Sequence, residues 1–386
     1  MRGRKKHAAT AVAAGMFTLM LPLMAGAISV FMPSAADAIC FAASASAKLT
    51  AYDFTENEKT VDNEIIIEET TADKLPVPAA FQIDDSNMLS YGEPRMPNSS
   101  NEELIVADES HDAGPKPYPK SLESNDGTIT AISYGTYDGD SYISLDNGQV
   151  RNITSVSNEV LLAESLLAPD FEIDLNGEPQ VLIMHTHATE SYEPYERDFF
   201  DSSFNSRTTD PEKNMIAVGD KIAEELEAAG IGVLHDETLH DYPSYNGSYD
   251  RSRETVQKYL EEYPSIKIVL DVHRDAIERD NGERIAPVAE IDGKNAAQVM
   301  IISGCDDGTM DMPDYMKNFR FAALLQNQLE SDWEGLTRPI LFDYRKYNQD
   351  LTTGSILIEV GGHANSIDQA VYSGELIGKS LVNCLT

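Results

Sequence analysis

The chain has 386 residues, 41% of them hydrophobic, with 65 Asp+Glu against 29 Lys+Arg and a formal net charge of −36. This length buries a sizeable core and accommodates one large α/β domain with extensions, while the charge excludes nucleic acid as a partner, since phosphate binding needs a clustered basic surface. Cys40, Cys305 and Cys384 are too few and too scattered for a disulfide framework or a cysteine-rich zinc site.

In chain order the first predicted element is an export segment. Arg2, Arg4, Lys5 and Lys6 precede an uncharged stretch over residues 8–36, and about 20 apolar residues suffice to cross a bilayer. The basic flank stays in the cytoplasm, so everything after it is extracytoplasmic. Ala36-Asp37-Ala38 offers a small-residue cleavage site, so residues 1–38 read as a signal peptide or a transmembrane anchor. Ile39 is not the small residue expected before a lipidated cysteine, and no lipoprotein is expected at Cys40. Residues 39–125 are acidic, interspersed with Pro, Ser and Asn, and lack helical periodicity. Such a segment cannot bury enough apolar surface to offset its ordering entropy, and it reads as a disordered, extended tether.

Residues 126–174 read as a small lead-in subdomain. Ile129-Thr130-Ala131-Ile132-Ser133-Tyr134 and Tyr142-Ile143-Ser144-Leu145 are strand-like, Asp146-Asn147-Gly148 is a hairpin turn, and a helix is expected around residues 159–167. Over 175–386 strands and helices alternate. Strands are expected at 181–184, 231–234, 266–272, 288–291, 299–303 and 355–360. Helical stripes are carried by Met215, Val218, Ile222 and Leu226, by Val256, Tyr259, Leu260 and Tyr263, and by Phe319, Ala322, Leu325 and Leu329. A last helix starts at Ser366, which with Gln369 forms a capping box. The alternation predicts an α/β fold, a mostly parallel twisted sheet with helices on both faces.

Chemistry in such folds gathers at the carboxyl ends of the strands. Three of these ends carry unusual residues: His185-Thr186-His187-Ala188-Thr189-Glu190, Asp271-Val272-His273-Arg274-Asp275-Ala276, and Ile358-Glu359-Val360-Gly361-Gly362-His363-Ala364-Asn365. A single buried histidine is more often a hydrogen-bonded structural residue. Imidazole and carboxylate converging from separate strands, however, are what a catalytic zinc requires, namely three protein ligands, an open position and a nearby base.

Val181-Leu182-Ile183-Met184-His185-Thr186-His187-Ala188-Thr189-Glu190-Ser191-Tyr192 closely resembles the signature of the stage II sporulation protein P family, membrane-associated peptidoglycan hydrolases of endospore-forming bacteria. Val233-Leu234-His235-Asp236-Glu237-Thr238-Leu239-His240-Asp241, Ser244-Tyr245-Asn246-Gly247-Ser248-Tyr249 with Ser252-Arg253, and Asp271-Val272-His273-Arg274-Asp275-Ala276 match in the same order. The resemblance covers roughly residues 129–381. The family is similar to zinc-dependent N-acetylmuramoyl-L-alanine amidases, with a second activity on peptide cross-links.

The resemblance implies a zinc amidase-like catalytic domain at 175–386 with Zn²⁺ as cofactor. It also implies cleavage of the N-acetylmuramic acid to L-alanine amide by zinc-activated water, in engulfment during sporulation. A zinc endopeptidase on stem-peptide cross-links and a non-catalytic wall-binding scaffold are the alternatives. Laid over the amidases' turn, His187 takes the position of the first ligand and His185 that of a preceding proline, which leaves His185 beside the metal or as an alternative ligand. His273 matches the second ligand. The third is open between Glu190, which the signature contains, and Glu212 at the start of a helix, with His235 and His240 as further candidates. Glu359 matches the amidases' general base. Arg274 and Arg253 are candidate clamps for stem-peptide carboxylates, which guanidinium forks match. The implied location is the mother-cell membrane facing the septal wall. Because the wall is polyanionic and the chain acidic, long-range electrostatics oppose direct recruitment. A protein partner is expected instead, with stage II sporulation proteins D and M the family's candidates.

Overall fold

The computed structural model describes residues 114–386. The predicted export segment, and the predicted tether as far as residue 113, lie outside the described residues. In chain order the elements are β1 (Gly127–Ile132), β2 (Tyr142–Ser144), β3 (Gln149–Asn152), α1 (Asn158–Ser165), β4 (Pro179–Met184), β5 (Phe199–Phe200), α2 (Met215–Ala228), β6 (Gly232–His235), α3 (Ser248–Glu262), β7 (Ile268–Asp275), β8 (Arg284–Ile291), β9 (Lys294–Ala297), β10 (Val299–Gly304), α4 (Tyr315–Asp332), β11 (Ile340–Asp343), β12 (Gly354–Gly362) and α5 (Ile367–Leu385).

Among the described residues an eight-stranded sheet runs in the order β2-β3-β11-β10-β12-β7-β4-β6, beside a four-stranded sheet β5-β1-β8-β9. β12, β7, β4 and β6 are mutually parallel, as are β3, β11 and β10. The expected mostly parallel sheet is nonetheless mixed at its centre, where β10 pairs with β12 antiparallel. The chain reaches β10 directly from the β8–β9 hairpin, with no crossover helix to bring it round to a parallel direction. The small sheet was not foreseen. It takes β1 from the segment read as a lead-in, while β2 and β3 of that segment extend the edge of the large sheet.

Alternation along each strand sorts the core. Val181, Ile183, Leu270, Val272, Ile356, Ile358 and Val360 point to one face, where they pack with Leu161 of α1, Met215, Ile222 and Leu226 of α2, Phe319 and Leu325 of α4, and Ile377 and Leu381 of α5. Full burial of side chains of this size contributes about 1.5–3 kcal/mol each. On the other face a single helix, α3, lays Val256, Tyr259 and Leu260 on Leu182, Met184 and Val269. Beyond α3 that face buries Met300, Ile302, Leu341 and Leu357 with Tyr347 against them.

Local signals explain the helix limits. The Asn214 side chain accepts from the Ile216 amide and caps α2, and Gly230, at φ 82°, stops the chain past its end. Ser366 and Gln369 cap each other reciprocally at the start of α5. Arg251 and Arg253 lie inside α3, which already begins at Ser248. The stretch read as tether is clasped to the domain over its last residues. The Lys116 amide donates to the Thr209 hydroxyl and its carbonyl accepts from the Thr208 hydroxyl and the Thr209 amide, Tyr118 donates to the Tyr192 carbonyl (2.8 Å), and Leu122 is buried. The aromatic and aliphatic side chains in this part give it surface to bury, which its acidic composition had masked.

Candidate active site

β4, β7 and β12 bring the three unusual strand ends together. Val272 enters the helix-covered core, so its neighbour His273 projects from the opposite face, and Glu359 does the same between Ile358 and Val360. His273 and Glu359 are register partners across β7 and β12, and the ladder shifts immediately after Glu359. Gly361, at φ 62°, makes that irregularity possible; a Cβ there would lie 2.7 Å from the Ala297 Cβ. Asn365 fixes the turn that follows, accepting from the Gly362 amide (2.8 Å) and donating to the Pro287 carbonyl (2.9 Å).

His187 follows β4 in a turn held by Asp271, whose carboxylate accepts from the Thr186 amide (2.8 Å) and hydroxyl (2.7 Å). The His187 ring stacks on Tyr245 (4.5 Å between centroids) and stands perpendicular to that of His273 (5.2 Å) and edge-on to Tyr249 (5.5 Å). Arg251 donates to the carbonyls of His240, Asn246 and Ser244, and so holds the loop that carries Tyr245.

Asp271 also orients His273. Its Oδ1 lies 2.7 Å from His273 Nε2, which therefore carries the hydrogen, while Nδ1 faces Glu190 Oε2 at 3.8 Å. Burial opposes charge on this imidazole, but the carboxylates of Asp271, Glu190 and Glu359 outweigh it and raise His273 to about 10. Burial works against the Asp271 carboxylate too, and His273 and Thr186 together still hold it below the usual range. Glu190 is positioned by the Arg274 amide (3.2 Å) and by Arg207 Nη2 (3.3 Å).

The donor types gathered here, imidazole and carboxylate, are those zinc takes. The Asp271 carboxylate bonds one nitrogen of the His273 imidazole, the Glu190 carboxylate faces the other at 3.8 Å, the His187 ring lies 5.2 Å away between centroids, and the Glu359 carboxylate stands on the neighbouring strand. His187, His273 and Glu190 are the side chains that would hold such an ion, with Glu359 beside His273 on the next strand. A cleft opens beside them, lined by Glu190, Arg207, Tyr249, Arg274, Glu359 and His363 among others. Burial, with Arg274 and Arg284 nearby, keeps His363 well below the usual histidine range and so neutral.

The other candidates are not brought to this point. Glu212 is exposed in the turn before α2. His240 pairs with Asp236 (3.1 Å), and His185 with His235 (2.9 Å) under α2. Arg274 lines the cleft, and its guanidinium donates to the carbonyls of Ser191, Asp275 and Ser206. Arg253 is not among the cleft residues and grips Asp350 with both Nη atoms (2.8 and 2.6 Å). Sequence reasoning missed Arg207, which pairs with Asp241 (2.7 Å) and Glu190 and lies over the Tyr245 ring. Its position in an irregular loop gave no periodic or motif signal.

The profile of the SpoIIP family, stage II sporulation protein P, matches residues 39–381. Stage II sporulation protein P of Bacillus subtilis (strain 168) is 30% identical over 202 residues, 49% of this chain and 47% of its own length. The match thus spans about half of that relative. Among solved structures, the CwlD amidase from Clostridioides difficile in complex with the GerS lipoprotein aligns over 54% of this chain and 100% of its own, at 11% identity and a TM-score of 0.34. The N-acetylmuramoyl-L-alanine amidase AmiC2 of Nostoc punctiforme aligns over 53% of this chain and 94% of its own, at 11% identity and a TM-score of 0.32.

Proposed function

The chain belongs to the stage II sporulation protein P family, and from that premise we propose that it is an exported, zinc-dependent peptidoglycan hydrolase. It cleaves the amide between the N-acetylmuramic acid lactyl group and L-alanine, in engulfment during sporulation. The observation that carries the reading is the Asp271–His273–Glu190 arrangement, with Glu359 beside His273 on the next strand.

His187, His273 and Glu190 would hold a zinc ion, which would supply Lewis-acid chemistry for the scissile carbonyl. The chain's own residues do the rest. Asp271 keeps the His273 proton on Nε2 and leaves Nδ1 for ligation. Glu359, near the end of an otherwise apolar strand, takes a proton from the attacking water and passes it to the departing L-alanine nitrogen. Arg207 and Arg274, which line the cleft against Glu190, offer donors on the side where the stem peptide's carboxylates would lie. The net charge of −36 opposes adsorption to a polyanionic wall, so a protein partner recruits the enzyme to the mother-cell membrane facing the septum, with stage II sporulation proteins D and M the candidates.

Mass spectrometry of purified peptidoglycan after digestion tests the reaction. Free stem peptides and bare glycan strands are the expected products. Split cross-links with intact muramoyl amides would make the protein an endopeptidase, and an unchanged wall would leave a non-catalytic scaffold.

A further inference from the structure

The cleft has a second half that the chemistry above does not use. β12, which carries Glu359, lies between β7 and β10 in the sheet. On the β7 side the cleft is lined by Glu190 and Arg274, and on the other by Ile302, Leu357, Arg345 and Tyr347. Leu357 shares a face with Glu359, two residues on, and is the register partner of Ile302 on β10. Arg345 and Tyr347 come from the loop between β11 and β12.

That loop is held in a strained shape. Tyr347 (φ 43°) and Asn348 (φ 56°) are both left-handed, a conformation that an aromatic residue rarely adopts and keeps only where its surroundings enforce it. Here they do. Asn348 donates to the Tyr249 carbonyl (2.9 Å) and the Ser252 hydroxyl (3.1 Å) of α3, while Gln349 donates to the Ile302 carbonyl (3.0 Å) and accepts from the Gly304 amide (2.9 Å). Gly304 gives the loop room, since a Cβ there would strike the Arg345 carbonyl.

The bend sets the Tyr347 ring on Tyr249 (5.2 Å between centroids, 23° between planes) and against Ile302 and Leu357. The Tyr249 ring is in turn nearly parallel to that of His273 (6.4 Å, 11°), so an aromatic wall runs from the candidate metal ligands into this half of the cleft. Arg345 closes the wall, paired with Asp343 (2.5 Å) and donating to the Tyr347 hydroxyl. Apolar and aromatic lining with a charge already matched suits a ligand that has apolar ring faces, hydroxyl and amide groups, and no strong charge.

We propose that Tyr249, Tyr347 and Arg345 form a subsite for the glycan strand, taking an N-acetylated pyranose ring next to the scissile amide. The inference rests on the amidase reading, in which the sugar lies on the acyl side of that amide and the stem peptide on the amine side. With Arg207 and Arg274 given to the peptide, the sugar falls across Glu359, on the aromatic wall. Its C–H face packs on the tyrosine rings, and Arg345 donates to hydroxyl or acetamido oxygens. The loop makes the chain a reader of glycan-bound stem peptides rather than of free ones.

The test is calorimetry of the full chain with bare glycan strands, alternating N-acetylglucosamine and N-acetylmuramic acid without stem peptide, and separately with free stem peptide. Tyr347→Leu keeps an apolar side chain against Ile302 and Leu357, and is expected to weaken glycan binding about tenfold. Tyr347→Phe should stay near the parent, and stem-peptide affinity should be unchanged in both variants. In the parent, bare glycan and not stem peptide should slow amide hydrogen exchange over residues 344–350, a readout that needs no variant to fold. Parental glycan affinity in Tyr347→Leu at unchanged Tm, or exchange that responds to stem peptide instead, would overturn the subsite. Neither measurement involves turnover, so both stand apart from the wall digest that tests the amidase reading.

Discussion

Glu359 and His273 are register partners across the parallel strands β12 and β7, so a carboxylate and an imidazole leave the same face of the sheet at the same level. Neighbouring parallel strands stand about 4.8 Å apart, close enough for the two groups to serve one reacting centre. The shift in register just beyond Glu359 ends the regular ladder at that level.

Glu359→Gln is expected to keep bound zinc and near-parental Tm while losing about 10²–10⁴-fold in amidase rate, the usual cost of removing a positioned acid–base group. Zinc content and turnover of purified peptidoglycan measured on the same preparation decide it. Loss of zinc would make Glu359 a ligand, and a near-parental rate would move the base to another residue, Glu190 first.

Ligand identity separates two glutamates. Removing His187, His273 or Glu190 by substitution with Ala is expected to empty the catalytic site and abolish hydrolysis. Glu212→Ala should leave both unchanged, because Glu212 is exposed in the turn before α2. Metal analysis of the four variants is the measurement; zinc loss in Glu212→Ala would reverse the assignment.

Asp271 touches no substrate in this scheme and acts through His273 and the Thr186 turn. Asp271→Asn is expected to weaken catalytic zinc by about 10–100-fold, as the loss of a group that orients a ligand typically does. Activity should return at high zinc concentration. Unchanged affinity in a competition with a chromogenic chelator would show that Asp271 only holds the turn.

Gly361→Ala places a Cβ 2.7 Å from the Ala297 Cβ at φ 62°. Left-handed strain together with overpacking is expected to cost about 1–3 kcal/mol, read as a lower urea midpoint. Activity should fall as well, since the irregularity at Gly361 lies two residues from Glu359. A variant as stable and active as the parent would mean that the turn relaxes freely.

Much of this protein could be read from one-dimensional signals, because those signals are local. The stripe Met215, Val218, Ile222 and Leu226, the box at Ser366 and Gln369, and the Asn147-Gly148 turn each act within a few residues, and each element formed where its pattern placed it. His187, His273 and Glu190 were legible as candidates because strand ends in an α/β fold converge. Tertiary structure decided what depends on partners distant in sequence. Only pairing showed that β10 runs against β12, since strand direction follows the connection and apolar content does not encode it. Only the turn after β4 showed Glu190 meeting His273 while Glu212 stays in solvent. The roles of Arg207, Asp271 and the His185–His235 contact join residues from 17 to 85 positions apart, distances over which a sequence pattern carries no geometry.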